Sequence, residues 1–234
     1  MFFDFHCHIL YGVDDGPASP SGMFEMVKSA YFCGIRKIIV TPHCNPQLFG
    51  FSPQRLNEVY AELTEYCKSK FPDLEIYKGA ELFAYTRFPS PISENLPVFI
   101  ADGKKVLTEF LPDSDFRFVS ELVTTLISAG ITPVIAHIER YRLLSKNNVI
   151  ALKKLGAVIT LNASFFCKTG FFRRAKFLRL INEGIIDMVA SDAHRPEDYG
   201  IYSDCYDFLV KKSGRQKADQ LFYMNAARLF GDPS

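Results

Sequence analysis

At 234 residues and 48% hydrophobic content, the chain has ample apolar material for one large domain, and its length suits a closed α/β barrel. The formal net charge of +1 gives no electrostatic reason to expect nucleic acid or an acidic membrane surface as a partner. No window approaches the ~18 apolar residues that span a bilayer, and Asp4 and His6 stand where a signal peptide would be apolar, so a cytoplasmic protein is expected.

Met1 to Leu10 is a short apolar run that reads as a strand. Side chains alternate along a strand, which places His6 and His8 on one side and Phe5 and Cys7 on the other. Tyr11 to Pro20, rich in Gly, Asp and Pro, is a loop, and Ser21 to Gly34 a helix closed by glycine. Lys37 to Thr41 is a buried strand running into Pro42-His43, followed by a long helix from Pro53 to Lys70 that Ser52 and Pro53 open. Leu74 to Tyr77 leads into Gly79-Ala80-Glu81, and Pro89 to Pro97 reads as a loop rather than a domain linker. Lys105-Val106-Leu107 leads to Thr108-Glu109-Phe110.

Phe116 to Ala129 is a helix ending at Gly130, and Pro133 to Ala136 a strand leading to His137. A short helix from Val149 to Leu155, a strand from Ala157 to Leu161 and a helix from Phe172 to Glu183 follow. Met188-Val189-Ala190 leads to Ser191-Asp192-Ala193-His194, and the remainder is helical. About seven strands interleaved with helices form the pattern of a parallel α/β fold. No Gly-rich dinucleotide turn follows the first strand, which favours a closed barrel over an open sheet. The six cysteines (7, 33, 44, 67, 167 and 205) lack Cys-x-x-Cys pairing and read as free thiols.

All five histidines, His6, His8, His43, His137 and His194, fall at or just beyond the C-terminal end of an expected strand. Glu81, Glu109 and Asp192 occupy the same kind of position, and Asp15 lies in the loop after the first strand. Singly, each has an ordinary explanation: a satisfied polar residue at a strand end, or, for Asp14-Asp15-Gly16, a turn. Jointly they do not, because strand C-termini converge on one face of a parallel barrel, where active sites are built. Mixed imidazole and carboxylate ligands suit Mn, Fe or Zn rather than Ca or Mg. Nine candidate ligands exceed the needs of one ion, so two or three ions are implied.

The series His6-x-His8, Asp14-Asp15-Gly16, Thr41-Pro42-His43, Gly79-Ala80-Glu81, Thr108-Glu109-Phe110, Ala136-His137-Ile138-Glu139-Arg140 and Ser191-Asp192-Ala193-His194 resembles the polymerase and histidinol phosphatase (PHP) superfamily. Within it, the likeness is greatest to the bacterial protein-tyrosine phosphatases encoded with capsule and exopolysaccharide genes, in order from residue 2 to about 194. The resemblance implies one domain over residues 1–234, a distorted (β/α)7 barrel, and three divalent ions, often manganese or iron. By analogy His6, His8, Glu81 and Asp192 hold the first ion. Glu81 bridges to a second, held also by Glu109 and His137, and Asp15, His43 and His194 hold the third. Asp15 rather than Asp14 is the implied ligand, and Arg140 matches an arginine that grips phosphate. The subgroup's second arginine lies in a longer loop beyond the Ser-Asp-x-His motif; here Arg195 is the nearby candidate, at a different spacing. The implied substrate is phosphotyrosine on a bacterial tyrosine kinase with a tyrosine-rich tail.

Three divalent ions, four carboxylates and one hydroxide sum to about +1 before Arg140 is counted, so the site attracts a phosphate dianion. Such ions lower the pKa of bound water from ~15.7 toward ~7, which supplies a nucleophile without a phosphoenzyme. Phosphotyrosine suits the site, since its phenol leaves with a pKa of only ~10. Phe49, Phe51, Phe83, Tyr85, Phe88, Phe165, Phe166, Phe171 and Phe172 lie in loops able to wall a phenyl ring, or serve simply as packing. Histidinol phosphate or another small phosphomonoester is the alternative substrate, and a regulatory module that holds phosphotyrosine without turnover is the alternative of another class. Cys167 to Arg173 satisfies Cys-x5-Arg, the loop of thiol phosphatases, but six Cys and twelve Arg give about 0.3 such matches by chance.

Overall fold

The computed structural model describes residues 1–44, 52–84, 99–100 and 104–231. Its strands are β1 (Phe2–Asp4), β2 (Ile35–Val40), β3 (His43–Cys44), β4 (Glu75–Lys78), β5 (Glu81–Ala84), β6 (Phe99–Ile100), β7 (Lys105–Phe110), β8 (Thr132–Ile135), β9 (Val158–Asn162) and β10 (Met188–Ala190). Apart from β6, every strand pairing is parallel, in the orders β1-β2-β4 and β10-β9-β8-β7-β5-β3.

Two of these breaks are local. Pro42 has no amide to donate and separates β2 from β3. Across the same gap, Gly79 N donates to Val40 O at 2.9 Å and Glu81 N to Pro42 O at 2.9 Å, so β2/β3 and β4/β5 are two continuous neighbouring strand lines. The ring then closes between its first and last members. Asp192 N donates to His6 O at 3.0 Å and His8 N to Ala193 O at 2.8 Å. Seven strand lines result, a distorted TIM-like barrel of the expected class. Its C-terminal mouth carries the residues that follow each strand.

Helices α1 (Pro20–Phe32), α2 (Pro53–Lys70), α3 (Phe116–Ser128), α4 (Lys146–Lys154), α5 (Ser164–Lys168), α6 (Phe171–Asn182) and α7 (Asp198–Ser213) connect the strands. Ser19 and Ser52 cap α1 and α2, each accepting an amide two or three residues into the helix, with proline at the first helical position. A capping box of Ser145 and Asn148 starts α4 three residues before the expected Val149, a polar start that hydrophobic spacing does not register. The short α5, where a loop is expected, is barely more than one turn and carries no side-chain cap to mark it in the sequence.

Two apolar layers result. Phe3, Ile39, Leu107, Val134, Met188 and Ala190 come from five strands around the ring and fill its interior. Ala226 and Phe230 of the C-terminal helix (Asn225–Phe230) join this cluster and plug the end of the barrel away from the mouth. The larger cluster lies between strands and surrounding helices. Cys7 belongs to this outer layer, its Sγ 3.6 Å from Ile39 O, and so faces away from the histidines as expected. Phe5 does not accompany it: it packs on Phe230 in the inner cluster. Phe3 and Phe5 share the inner side, as alternation requires, so the break falls between Phe5 and Cys7, beyond the end of regular strand at Asp4.

Candidate metal centre

All nine residues singled out from the strand ends gather at the barrel mouth. His6 and His8 lie on the hydrogen-bonded extension of β1, both with no solvent exposure. Their Nε2 atoms are 3.3 Å apart. Asp192 Oδ1 is 3.4 Å from each, and Glu81 Oε2 is 3.4 Å from His6 Nε2 and 3.6 Å from His8 Nε2. Four potential metal-donor atoms, two imidazole nitrogens and two carboxylate oxygens, thus converge on one spot. A divalent first-row ion with bonds of about 2.1 Å separates adjacent donors by roughly 3.0–3.5 Å. The buried Glu81 Oε2, for all the imidazoles around it, makes no hydrogen bond of good geometry, and buried His6 Nδ1 makes none, an arrangement that costs free energy without a cation. The donor set fits a metal.

The cluster continues on both sides of Glu81. His137 Nε2 lies 3.0 Å from Glu81 Oε1 and 3.4 Å from Glu109 Oε1. His43 Nδ1 lies 3.0 Å from Glu81 Oε2 and 3.6 Å from Glu109 Oε2. On its other edge His43 Nε2 is 3.6 Å from Asp15 Oδ1, which is 3.2 Å from His194 Nε2. Three groups have donor atoms close enough for one ion each: His6, His8 and Glu81; His43, Glu81 and Glu109; and His8, Asp15, His43 and His194.

Supporting residues hold these side chains in place. Asp14 Oδ2 is 2.7 Å from His8 Nδ1 and accepts from His43 N at 2.9 Å, while its Oδ1 accepts from Gly16 N at 3.0 Å. A Cβ on Gly16 would lie 2.1 Å from His8 O, so only glycine lets the loop come this close. Asn162 Nδ2 donates to Asp192 Oδ2 at 2.6 Å. Tyr141 Oη accepts from Phe110 N at 3.2 Å and lies 3.4 Å from His137 Nδ1. His137 and Asp192 have left-handed backbones, φ 33° and 51°, a strain that ordinary strand ends do not carry.

The electrostatics follow from this crowding. Burial opposes charge on Glu81, but His6, His137 and His43 hold its carboxyl well below the usual range. Burial likewise opposes charge on Asp192, which His6, His8 and Arg140 nonetheless keep ionised. Burial and the Glu81 charge push Glu109 up to about 7. Burial would lower His8, but Asp14 and Asp192 hold it raised. His194 draws Asp15 down to about 2.

Arg140 ends a 3₁₀ turn, Ile138–Arg140, that begins at the strained His137. Its guanidinium bonds Asp192 Oδ2 and lies 3.7 Å from Glu109 Oε1, with its side chain 44% exposed at the rim. The motif order therefore matches a spatial one. The family model for capsular polysaccharide synthesis, CpsB/CapC, matches residues 2–231. The chain belongs to this family.

Among its relatives is the tyrosine-protein phosphatase CpsB of Streptococcus pneumoniae, 30% identical over 98% of each chain. Another is the tyrosine-protein phosphatase YwqE of Bacillus subtilis, 29% identical over 97% of this chain and 90% of that protein. The fold superposes with TM-score 0.84 and 28% identity on one of the crystal structures of YwqE and CpsB, described as unique metal-dependent tyrosine phosphatases, covering 99% of this chain and 95% of that one.

Within this CpsB/CapC chain some expectations need revision. Asp4 does not support an imidazole. Its carboxylate accepts from Ser191 N at 3.0 Å and Ser191 Oγ at 2.5 Å, tying the first strand to the last, and burial raises it to about 6. Arg195 is exposed at the start of α7, and among the described residues its guanidinium makes no ion pair with the cluster. Phe165 and Phe166 are core residues, while Phe171 and Phe172 stand 78% and 87% exposed. Phe83 is half-buried at the mouth end of β5; Phe49, Phe51, Tyr85, Phe88 and the Pro89 to Pro97 segment lie outside the described residues. Cys167 sits within α5 rather than in a phosphate loop, and desolvation raises its thiol pKa, the reverse of what a thiolate nucleophile needs. Asn162, Tyr141 and Asp14 were not assigned to the site. Asn162 gave the same strand-end signal as the histidines but carries no titratable group.

Proposed function

We propose that the chain is a metal-dependent protein-tyrosine phosphatase, one barrel domain over residues 1–234, that removes phosphate from tyrosine without a phosphoenzyme. The observation that carries this reading is the set of lone pairs from His6, His8, Glu81 and Asp192 separated by 3.3 to 3.6 Å with Arg140 at their rim. Membership of the CpsB/CapC family, whose relatives are named tyrosine phosphatases, supports the substrate class.

In this reading His6, His8, Glu81 and Asp192 hold a first divalent ion, Glu81, Glu109 and His137 a second, and Asp15, His43 and His194 a third. Manganese is the proposed metal, with iron and zinc accepted by the same donors. When bound, the ions supply Lewis acidity to the phosphoryl oxygens and a water acidic enough to attack phosphorus at neutral pH.

The chain's own residues do the rest. Asp14 accepts a hydrogen bond from Nδ1–H of His8, which leaves the Nε2 lone pair free for metal. Asn162 fixes the rotamer of Asp192, and the Tyr141 hydroxyl steadies His137. Arg140 lies against Asp192 and Glu109 here, and exchanges that pairing for the substrate phosphate, two of whose oxygens its planar fork can engage at once. Arg195, next to His194, is the candidate for a second contact to phosphate. The leaving phenol, with a pKa near ~10, departs without a strong general acid.

The proposed physiological substrate is the phosphotyrosine of a bacterial tyrosine kinase in capsule or exopolysaccharide synthesis, in the cytoplasm. Consistent with that, no helix among the described residues is long and apolar enough to cross a membrane. Turnover of a phosphotyrosine peptide, histidinol phosphate and a nucleotide by the manganese-loaded protein tests this reading. Preference for the peptide supports it; preference for histidinol phosphate replaces it with a small-molecule phosphatase, and binding of the peptide without turnover replaces it with a regulatory module.

A further inference from the structure

Beside the metal cluster, and sharing Arg140 with it, is a cavity of about 590 Å³ walled by the 138–142 turn, α4, α5 and α6. Six of its lining residues are cationic, Arg140, Arg142, Lys146, Lys168, Arg173 and Lys176, and one is acidic. The whole chain balances 27 basic residues against 26 acidic ones, so this excess is local. The acid, Glu139, does not offset it: the residue is 7% exposed and its Oε2 faces the Asn162 amide at 3.4 Å.

Some of the six already have partners. Arg140 contacts Asp192 and Glu109, and Lys146 lies 2.5 Å from Glu183. Arg173 binds the carbonyl of Glu139, a neutral group, so its charge is not cancelled. Arg142, Lys168 and Lys176 are exposed, and none pairs with a carboxylate among the described residues. Like charges around a shared concavity repel one another, and an anion entering it relieves that repulsion. The floor includes Phe165, Phe177 and Leu180, so the cavity is a cleft with an apolar base and a cationic rim rather than a point site for an inorganic ion.

We propose that this cleft receives a negatively charged flank of the peptide whose phosphotyrosine is held at Arg140, making the enzyme selective for tyrosines in an anionic segment. The proposal rests on the phosphatase reading for the position of the phosphotyrosine. The anionic groups are carboxylates or a second phosphate, which the cations attract alike.

The test is binding of peptides that carry a non-hydrolysable phosphonate analogue of phosphotyrosine to the manganese-loaded protein, by fluorescence anisotropy. Glutamate-flanked and glutamine-flanked peptides are compared, for the wild type and for Lys168→Gln with Lys176→Gln. The expected result is about tenfold tighter binding of the glutamate-flanked peptide. The preference shrinks as salt is raised and falls below about threefold in the double variant. A third peptide, with a second phosphonate in place of the glutamates, shows which anion is preferred. Equal binding of the glutamate and glutamine peptides, or a preference unchanged in the double variant, overturns the proposal. Hydrolysis of p-nitrophenyl phosphate is measured alongside: its absence overturns the phosphatase reading, while the binding comparison still decides the cleft.

Discussion

Asp14 Oδ2 stands 2.7 Å from His8 Nδ1, and this contact decides which nitrogen of His8 faces His6, Glu81 and Asp192. A carboxylate behind an imidazole fixes its tautomer and raises its basicity toward a metal, and losing such a partner costs about 10–100-fold in metal affinity. Asp14→Ala is therefore expected to weaken manganese binding by that order while leaving the protein folded. Isothermal titration with manganese, read beside circular dichroism, checks this.

Gly16 makes the same contact possible from the backbone side. Alanine there would bring Cβ to 2.1 Å from the His8 carbonyl, so the loop must move and Asp14 with it. Gly16→Ala is expected to destabilise by roughly 2 kcal/mol or more, lowering Tm by about 4 °C or more in a chain of this size. Thermal unfolding with and without manganese measures both effects; an unchanged Tm would show that the loop relaxes freely.

Arg140→Lys retains charge but loses the two-pronged grip on phosphate. It should raise KM for phosphotyrosine peptide and lower kcat/KM by about 10²-fold or more, as for removal of a donor that stabilises transition-state charge. Arg195→Ala separates the two arginines: a tenfold or smaller fall would leave Arg140 as the principal grip, whereas a fall equal to that of Arg140→Lys would place both on the phosphate.

Asn162→Ala removes the amide at 2.6 Å from Asp192 Oδ2. The carboxylate is then free to turn, and metal affinity is expected to fall by about tenfold or more. A variant that binds manganese like the wild type would limit Asn162 to packing.

Much of the site was legible because its residues share one chemical signature at one topological position. Histidines and acids that follow apolar strands, with no local ion-pair partner, stand out in a parallel fold, and His6, His8, His43, Glu81, Glu109, His137, Asp192 and His194 all did so. Asn162 occupied the equivalent place on the sixth strand line, but an amide reads as an ordinary strand end. Tyr141 and Asp14 lie only four and six residues from the histidines they hold, but in loops and turns, where no strand or helix period predicts the contact. Asp4 shows the converse: it lies two residues from His6 in sequence, yet the fold pairs it with Ser191, 187 positions away.

The barrel was legible from the alternation of apolar runs with helical ones and from the absence of a dinucleotide turn. Its irregularities were not. The Pro42 break divides a strand line without changing its neighbours, and the loss of regular strand beyond Asp4 breaks the alternation between Phe5 and Cys7. The start of α4 shifted because a polar capping box, Ser145 with Asn148, did the work that apolar spacing was used to locate.

Acidification bears on the same donors from another direction. Imidazoles must be neutral to bind a metal, so manganese affinity should fall steeply as pH drops through the histidine range, with proton release on binding. Titrations in two buffers of different ionisation enthalpy count those protons, and no proton release would contradict a histidine-rich site.

The central claim is that the clustered side chains at the barrel mouth work through bound metal. It is tested most directly by stripping the protein with EDTA and following hydrolysis of p-nitrophenyl phosphate as manganese is returned. The expected result is loss of activity on chelation, recovery with manganese, and no recovery in His6→Ala or His137→Ala. Full activity in the metal-stripped protein would contradict it.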